Sequence, residues 1–130
     1  MGSLIKFFKL WLPVITWAGL IFYLSSIPNL KTRFEYDFIL RKIVHAVEYL
    51  ILTFLLYRAF KGSFSMNTFQ FYIYPATLSF FYAVSDEFHQ SFVSGRSAFI
   101  RDVLIDSIGI LGFYITIKIF AVNQRNRTLV

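Results

Sequence analysis

Residues 85–106 read SDEFHQSFVSGRSAFIRDVLID. The segment before them, FQFYIYPATLSFFYAVS (69–85), carries no formal charge, and neither does the segment after, SIGILGFYITI (107–117). Two apolar stretches therefore flank a dense polar cluster of Asp86, Glu87, His89, Arg96, Arg101, Asp102 and Asp106. Part of that cluster reaches into the apolar stretches. A carboxylate placed there is costly unless something receives it.

The composition identifies the solvent. The 130 residues are 57% hydrophobic and 21% aromatic, with only 15% charged, and the mean hydropathy is +0.61. So few polar residues cannot cover a soluble domain of this size, so a membrane is the natural environment. The absence of cysteine excludes a disulfide framework and a thiolate metal site. The net charge is +6. In a membrane chain such an excess reports topology and contact with anionic lipid. No basic stripe lies on a soluble face, so no nucleic-acid partner is expected.

A spanning helix needs roughly 20 mostly apolar residues, and four segments qualify. They cover about 10–27, 39–60, 69–88 and 103–122. The expected fold is all-α, one domain over 1–130, a bundle of four transmembrane helices. The first segment, LWLPVITWAGLIFYLSSI, follows Lys6 and Lys9. It is long for a signal-peptide core and has no small-x-small cleavage pattern, so it reads as a retained span. Pro13 is expected near that helix's start, where its missing N–H costs little. Short loops make consecutive helices antiparallel neighbours.

With four spans, Lys6, Lys9, Arg58, Lys61, Lys118, Arg125 and Arg127 share one side. The other side carries Lys31, Arg33, Arg41, Lys42, Arg96 and Arg101. Four of these, Arg41, Lys42, Arg96 and Arg101, stand beside five acids and have a local reason to be there. Setting them aside leaves seven bases against two. The positive-inside rule then places both termini in the cytoplasm and the polar cluster outside.

The second segment adds to the cluster. On a helical wheel Arg41, Lys42, His45, Glu48, Tyr49 and Leu52 fall within an arc of about 120°. Glu48 lies about 10 Å below Arg41 along the helix axis. Asp86, Glu87 and Gln90 share a face at the end of the third segment, and Asp102 and Asp106 stand one turn apart at the start of the fourth. Asp102 suits a helix N-terminus; Asp106 is too deep for that role. Gly95 permits a sharp turn that aims Arg96 back at the acids.

These residues resemble the VanZ-like family of small bacterial membrane proteins, named after a protein linked to teicoplanin resistance. FYLSSIP (22–28) is similar to the end of that family's first helix. Lys42, His45, Glu48 and Tyr49 match its Lys-x-x-His-x-x-Glu-Tyr pattern. Asp86, Glu87, Gln90, Gly95, Arg96, Asp102 and Gly109 match its later motifs. At 106 the family usually has Asn, and here the residue is Asp. The resemblance implies a multi-pass protein of the bacterial cell membrane with a role in glycopeptide susceptibility.

Several chemistries are open to the cluster. His45 and Glu48, completed by Asp86 and Glu87, are candidate ligands for Zn²⁺, Mn²⁺ or Mg²⁺. The alternative is a neutral His45 bonded to a carboxylate. No cofactor is otherwise expected. The same four residues are candidate catalytic acids and bases. Alternatively the acids neutralise Arg41, Lys42 and Arg96 in a structural network, with Lys42 as partner of Glu48. Arg96 and Lys42 suit a phosphate. The serines, Ser97 among them, show no nucleophile motif.

Two functions follow. One is a binding or shielding protein whose pocket is formed by Lys42, His45, Glu48, Tyr49, Asp86, Glu87, Gln90, Arg96, Asp102 and Asp106. Its expected partners are an anionic membrane lipid, a lipid-linked cell-wall precursor or a lipoglycopeptide. The other is a small intramembrane enzyme, a hydrolase or transferase acting on a lipid or its headgroup. An assembly subunit with an ionic core is a third.

Overall fold

The computed structural model of the chain describes residues 2–28, 37–96 and 100–127. Lys31, Arg33 and Ser97 lie outside the described residues, as do the side chains of Arg125 and Arg127. Among the described residues there are four α-helices and no strand: α1 (Gly2–Ser26), α2 (Asp37–Ser63), α3 (Thr68–Gln90) and α4 (Ile100–Arg127). The all-helical bundle expected from the sequence is present.

The helices run past the expected segments at most ends. α1 begins at Gly2 rather than near residue 10, and α4 runs to Arg127 rather than 122. Apolarity marks only the part suited to lipid. The helical hydrogen-bond ladder needs no apolar side chain and continues into polar sequence. Pro13 is accordingly interior to α1, not at its start. Its missing N–H leaves the Lys9 carbonyl without its helical donor. Arg58 of α2 supplies one, its Nη2 donating to that oxygen at 3.3 Å. The start of α3 is closed by a reciprocal cap: Gln70 N–H donates to the Asn67 side chain at 2.9 Å, and Asn67 N–H to the Gln70 side chain at 3.1 Å.

Contacts at the helix ends establish an up-down-up-down order. Trp11 in the first half of α1 donates to Ser63 at the end of α2 (3.0 Å). At the other end Gln90, closing α3, donates to Ser25 near the end of α1 (3.2 Å). α2 packs on all three other helices and α3 does likewise, while α1 and α4 do not pack on one another among the described residues. The α2–α3 contact includes a bond from Thr53 to Ser79 at 2.9 Å, both fully buried.

α2 and α4 meet most closely at Gly109. A methyl group there would overlap the backbone carbonyl of Ala46. Only glycine allows that approach.

Polarity is distributed opposite to that of a soluble domain. Leu12, Phe22, Ile43, Phe54, Phe81, Leu111 and Ile119 are all exposed. Ser25, Glu48, Thr53, Ser79, Asp86, Glu87, Gln90 and Asp106 are buried. Hydroxyls along the helices bond back to their own backbone: Thr16 to Leu12, Ser107 to Val103 and Thr116 to Gly112. That satisfies them without water. By length and composition, α1 and α4 can cross a membrane.

Candidate functional site

The polar residues of α2, α3 and α4 meet at one end of the bundle. A cavity of about 250 Å³ opens there. Arg41, Lys42 and His45 line it from α2, Glu87 and Gln90 from α3, and Asp102, Ile105 and Asp106 from α4. Gly95 and Arg96 close it from the α3–α4 loop. Gly95 has φ 76°, a left-handed conformation that favours glycine. The tight turn places Arg96 at the cavity wall, but its hydrogen bonds go to carbonyls of α1 rather than to the acids at which the sequence reading aimed it.

The partners of the bases differ from the expected network. Lys42 forms an ion pair with Asp102, one turn above Asp106, not with Glu48. α2 crosses α4 closely at Gly109, which brings the starts of these two helices together. Asp102 also stands in the first turn of α4, where the helix dipole favours its charge. Arg101 is exposed.

Arg96 serves α1. Its Nη2 donates to the Leu24 carbonyl at 2.8 Å and its Nε to the Ile27 carbonyl at 3.3 Å. α1 has no basic residue in its own last turn, so a loop distant in sequence caps it. Burial lowers the pKa of Arg96, and the Arg41 charge lowers it further; Asp86, Glu87 and Glu48 act in the opposite direction. An arginine so placed stays charged.

The acids form two groups. Glu87, Asp102 and Asp106 line the cavity, while Glu48 and Asp86 are buried and, like Tyr49, do not line it. Asp86 is held by Gln90, whose Nε2 donates to it at 2.9 Å. Glu48 stands 4.0 Å from the imidazole of His45. Asp106 is nearer, with Oδ1 3.5 Å from His45 Nδ1. That is too long for a good hydrogen bond. His45 Nδ1, Glu87 Oε2 and both oxygens of Asp106 are buried without a hydrogen-bond partner. Among the described residues, no lysine or arginine nitrogen lies within ion-pair distance of Glu48, Asp86, Glu87 or Asp106.

The candidate catalytic set His45, Glu48, Asp86 and Glu87 is therefore divided. The structure brings His45 together with Glu87 and Asp106, their ligand-capable atoms all within 4.8 Å of one another. His89 stacks on Phe22 at 4.3 Å and does not line the cavity. Sequence reasoning missed the contributions of α1. Ser25 receives Gln90, Trp17 donates to the Glu48 carbonyl at 2.9 Å, and Tyr82 reaches the Ala18 carbonyl at 2.6 Å. Ser25 lies within FYLSSIP, but a serine in a span normally bonds its own helix, and nothing local marks it as a receiver.

A model of the VanZ/LLP1 family matches residues 4–121. Neither a curated protein nor a solved structure matches the chain.

Proposed function

This chain belongs to the VanZ/LLP1 family, and from that premise we propose that it is a multi-pass protein of the bacterial cell membrane whose outward-facing pocket binds an anionic headgroup. The observation that carries this reading is that Arg41, Lys42 and Arg96 line one cavity. Arginine gives a phosphate paired, directional hydrogen bonds, and lysine adds a point charge. The cavity is smaller than the roughly 300–1,000 Å³ usual for drug-sized ligands. It suits a phosphate-bearing headgroup better than a whole glycopeptide. Membrane lipid and lipid-linked cell-wall precursor are the ligands of choice. Occupying or shielding such a precursor is the route by which the protein alters teicoplanin susceptibility. A lipoglycopeptide would engage the mouth through a single acidic group.

Four spans are supported by the packing of α2 and α3 alongside the two clearly apolar helices, with apolar side chains facing outward on each. Cytoplasmic termini are supported by the bias of bases towards that side.

Lipid mass spectrometry of the detergent-purified protein tests the reading. Anionic lipids or polyprenyl phosphates should be enriched over their share of the source membrane. Retained lipid that mirrors the bulk membrane defeats the proposal.

One observation favours a second reading, a small intramembrane enzyme acting on a lipid headgroup. His45, Glu87 and Asp106 converge where the headgroup would sit. Release of phosphate or headgroup from lipid vesicles by the purified protein would establish it, and its absence across anionic lipids would leave binding alone.

A further inference from the structure

We infer that His45, Glu87 and Asp106 form a binding site for one divalent cation of the Zn²⁺ or Mn²⁺ type, set in the cavity wall. Three different helices supply the ligands, and all three residues line the same cavity. Two ligand atoms each about 2.1 Å from one tetrahedral ion stand about 3.4 Å apart. His45 Nδ1 and Asp106 Oδ1 are 3.5 Å apart. That spacing is long for a hydrogen bond and right for a shared ion. Glu87 completes the set, its ligand-capable oxygen lying within 4.8 Å of the other two atoms.

Asp106 carries the case. It is 0% exposed, and neither carboxylate oxygen has a hydrogen-bond partner. Glu87 Oε2 and His45 Nδ1 share that condition. A buried carboxylate without a donor is expensive. Four carboxyl groups, Glu48, Asp86, Glu87 and Asp106, are buried at this end of the bundle; Asp86 accepts from Gln90, and the lysine that reaches the site pairs with Asp102. A cation on His45, Glu87 and Asp106 offsets two of the four charges and gives the orphaned atoms a partner.

One imidazole nitrogen with two carboxylate oxygens is a donor set for a borderline metal rather than for Ca²⁺, which takes six to eight oxygens. Three protein ligands leave a position open towards the cavity. Arg96 and Lys42 line the same cavity and would share an anion with the ion there. That last step rests on the headgroup reading above; the cation site does not.

The full-length protein, purified in detergent and stripped with chelator, is titrated with Zn²⁺ and separately with Mn²⁺. Bound metal is read by elemental analysis and thermal stability by tryptophan fluorescence. One equivalent should bind and raise the melting temperature. Asp106→Asn and Glu87→Gln keep side-chain volume, and each should weaken binding at least tenfold and abolish the shift. No uptake by the unmodified protein overturns the site. So does unchanged uptake in both variants. Lipid retention on the same samples separates the two proposals: metal uptake without lipid selectivity upholds the site and defeats the headgroup reading. Lipid selectivity without metal uptake does the reverse.

Discussion

Arg96 Nη2 lies 2.8 Å from the carbonyl oxygen of Leu24, across 72 positions of sequence. The α3–α4 loop is thereby tied to the end of α1, and the cavity mouth inherits the position of that helix.

Arg96→Ala should therefore lower stability. A hydrogen bond to a charged group contributes about 1.5–3 kcal/mol, and the loss should fall in that range. Arg96→Lys should recover less than half, because one ammonium cannot span the Leu24 and Ile27 carbonyls as the guanidinium does. Thermal melts in detergent followed by tryptophan fluorescence give the comparison. An alanine variant as stable as the parent would show that the cap contributes nothing.

Gly109→Ala and Gly112→Ala form a matched pair. The first places a methyl on the Ala46 backbone, which cannot yield; overpacking of this kind costs about 1–3 kcal/mol. The second meets only Leu50 Cδ1 at 3.5 Å, an ordinary contact. It should be neutral or stabilising by about 0.5–1 kcal/mol through helix propensity. The same melts decide, and equal behaviour of the two variants contradicts the close α2–α4 crossing.

Double-mutant cycles test who partners Lys42. Lys42→Met and Asp102→Asn should be non-additive, with a coupling of about 0.5–1 kcal/mol appropriate to a partly exposed pair. Lys42→Met and Glu48→Gln should be additive. Coupling to Glu48 in place of Asp102 would restore the pairing that the sequence suggested.

The orientation is open to direct labelling, because the chain has no cysteine of its own. Ser94→Cys sits in the exposed loop beside the cavity, and Ser65→Cys sits in the exposed α2–α3 loop at the other end. On intact cells an impermeant thiol reagent should modify the first and spare the second. The reverse pattern places the cavity in the cytoplasm.

Much of the architecture was legible along the chain because it depends on local periodicity. The stripe of Lys42, His45 and Glu48 follows from 3.6 residues per turn, and the antiparallel order follows from short loops. Partner choice was not legible. Whether Lys42 meets Glu48 or Asp102 depends on how α2 is rotated against α4, which Gly109 fixes through a contact with Ala46 that no single segment reveals. Arg96 illustrates the same limit. The turn at Gly95 suggested the acids as its partners, yet the open carbonyls of α1 receive its two bonds. The full reach of α1 was hidden as well, since Lys6 and Lys9 end the apolar signal without ending the helix.

The diagonal contact between α2 and α3 has a consequence for traffic across the membrane. Thr53 and Ser79 close the middle of the bundle with a hydrogen bond, and Ala83 and Leu52 pack in the same core. Among the described residues the core is thus packed at that level, away from the polar cavity at the end of the bundle. An ion or headgroup bound in the cavity, as proposed above, would meet packed side chains rather than a passage at that level and would leave by the end it entered.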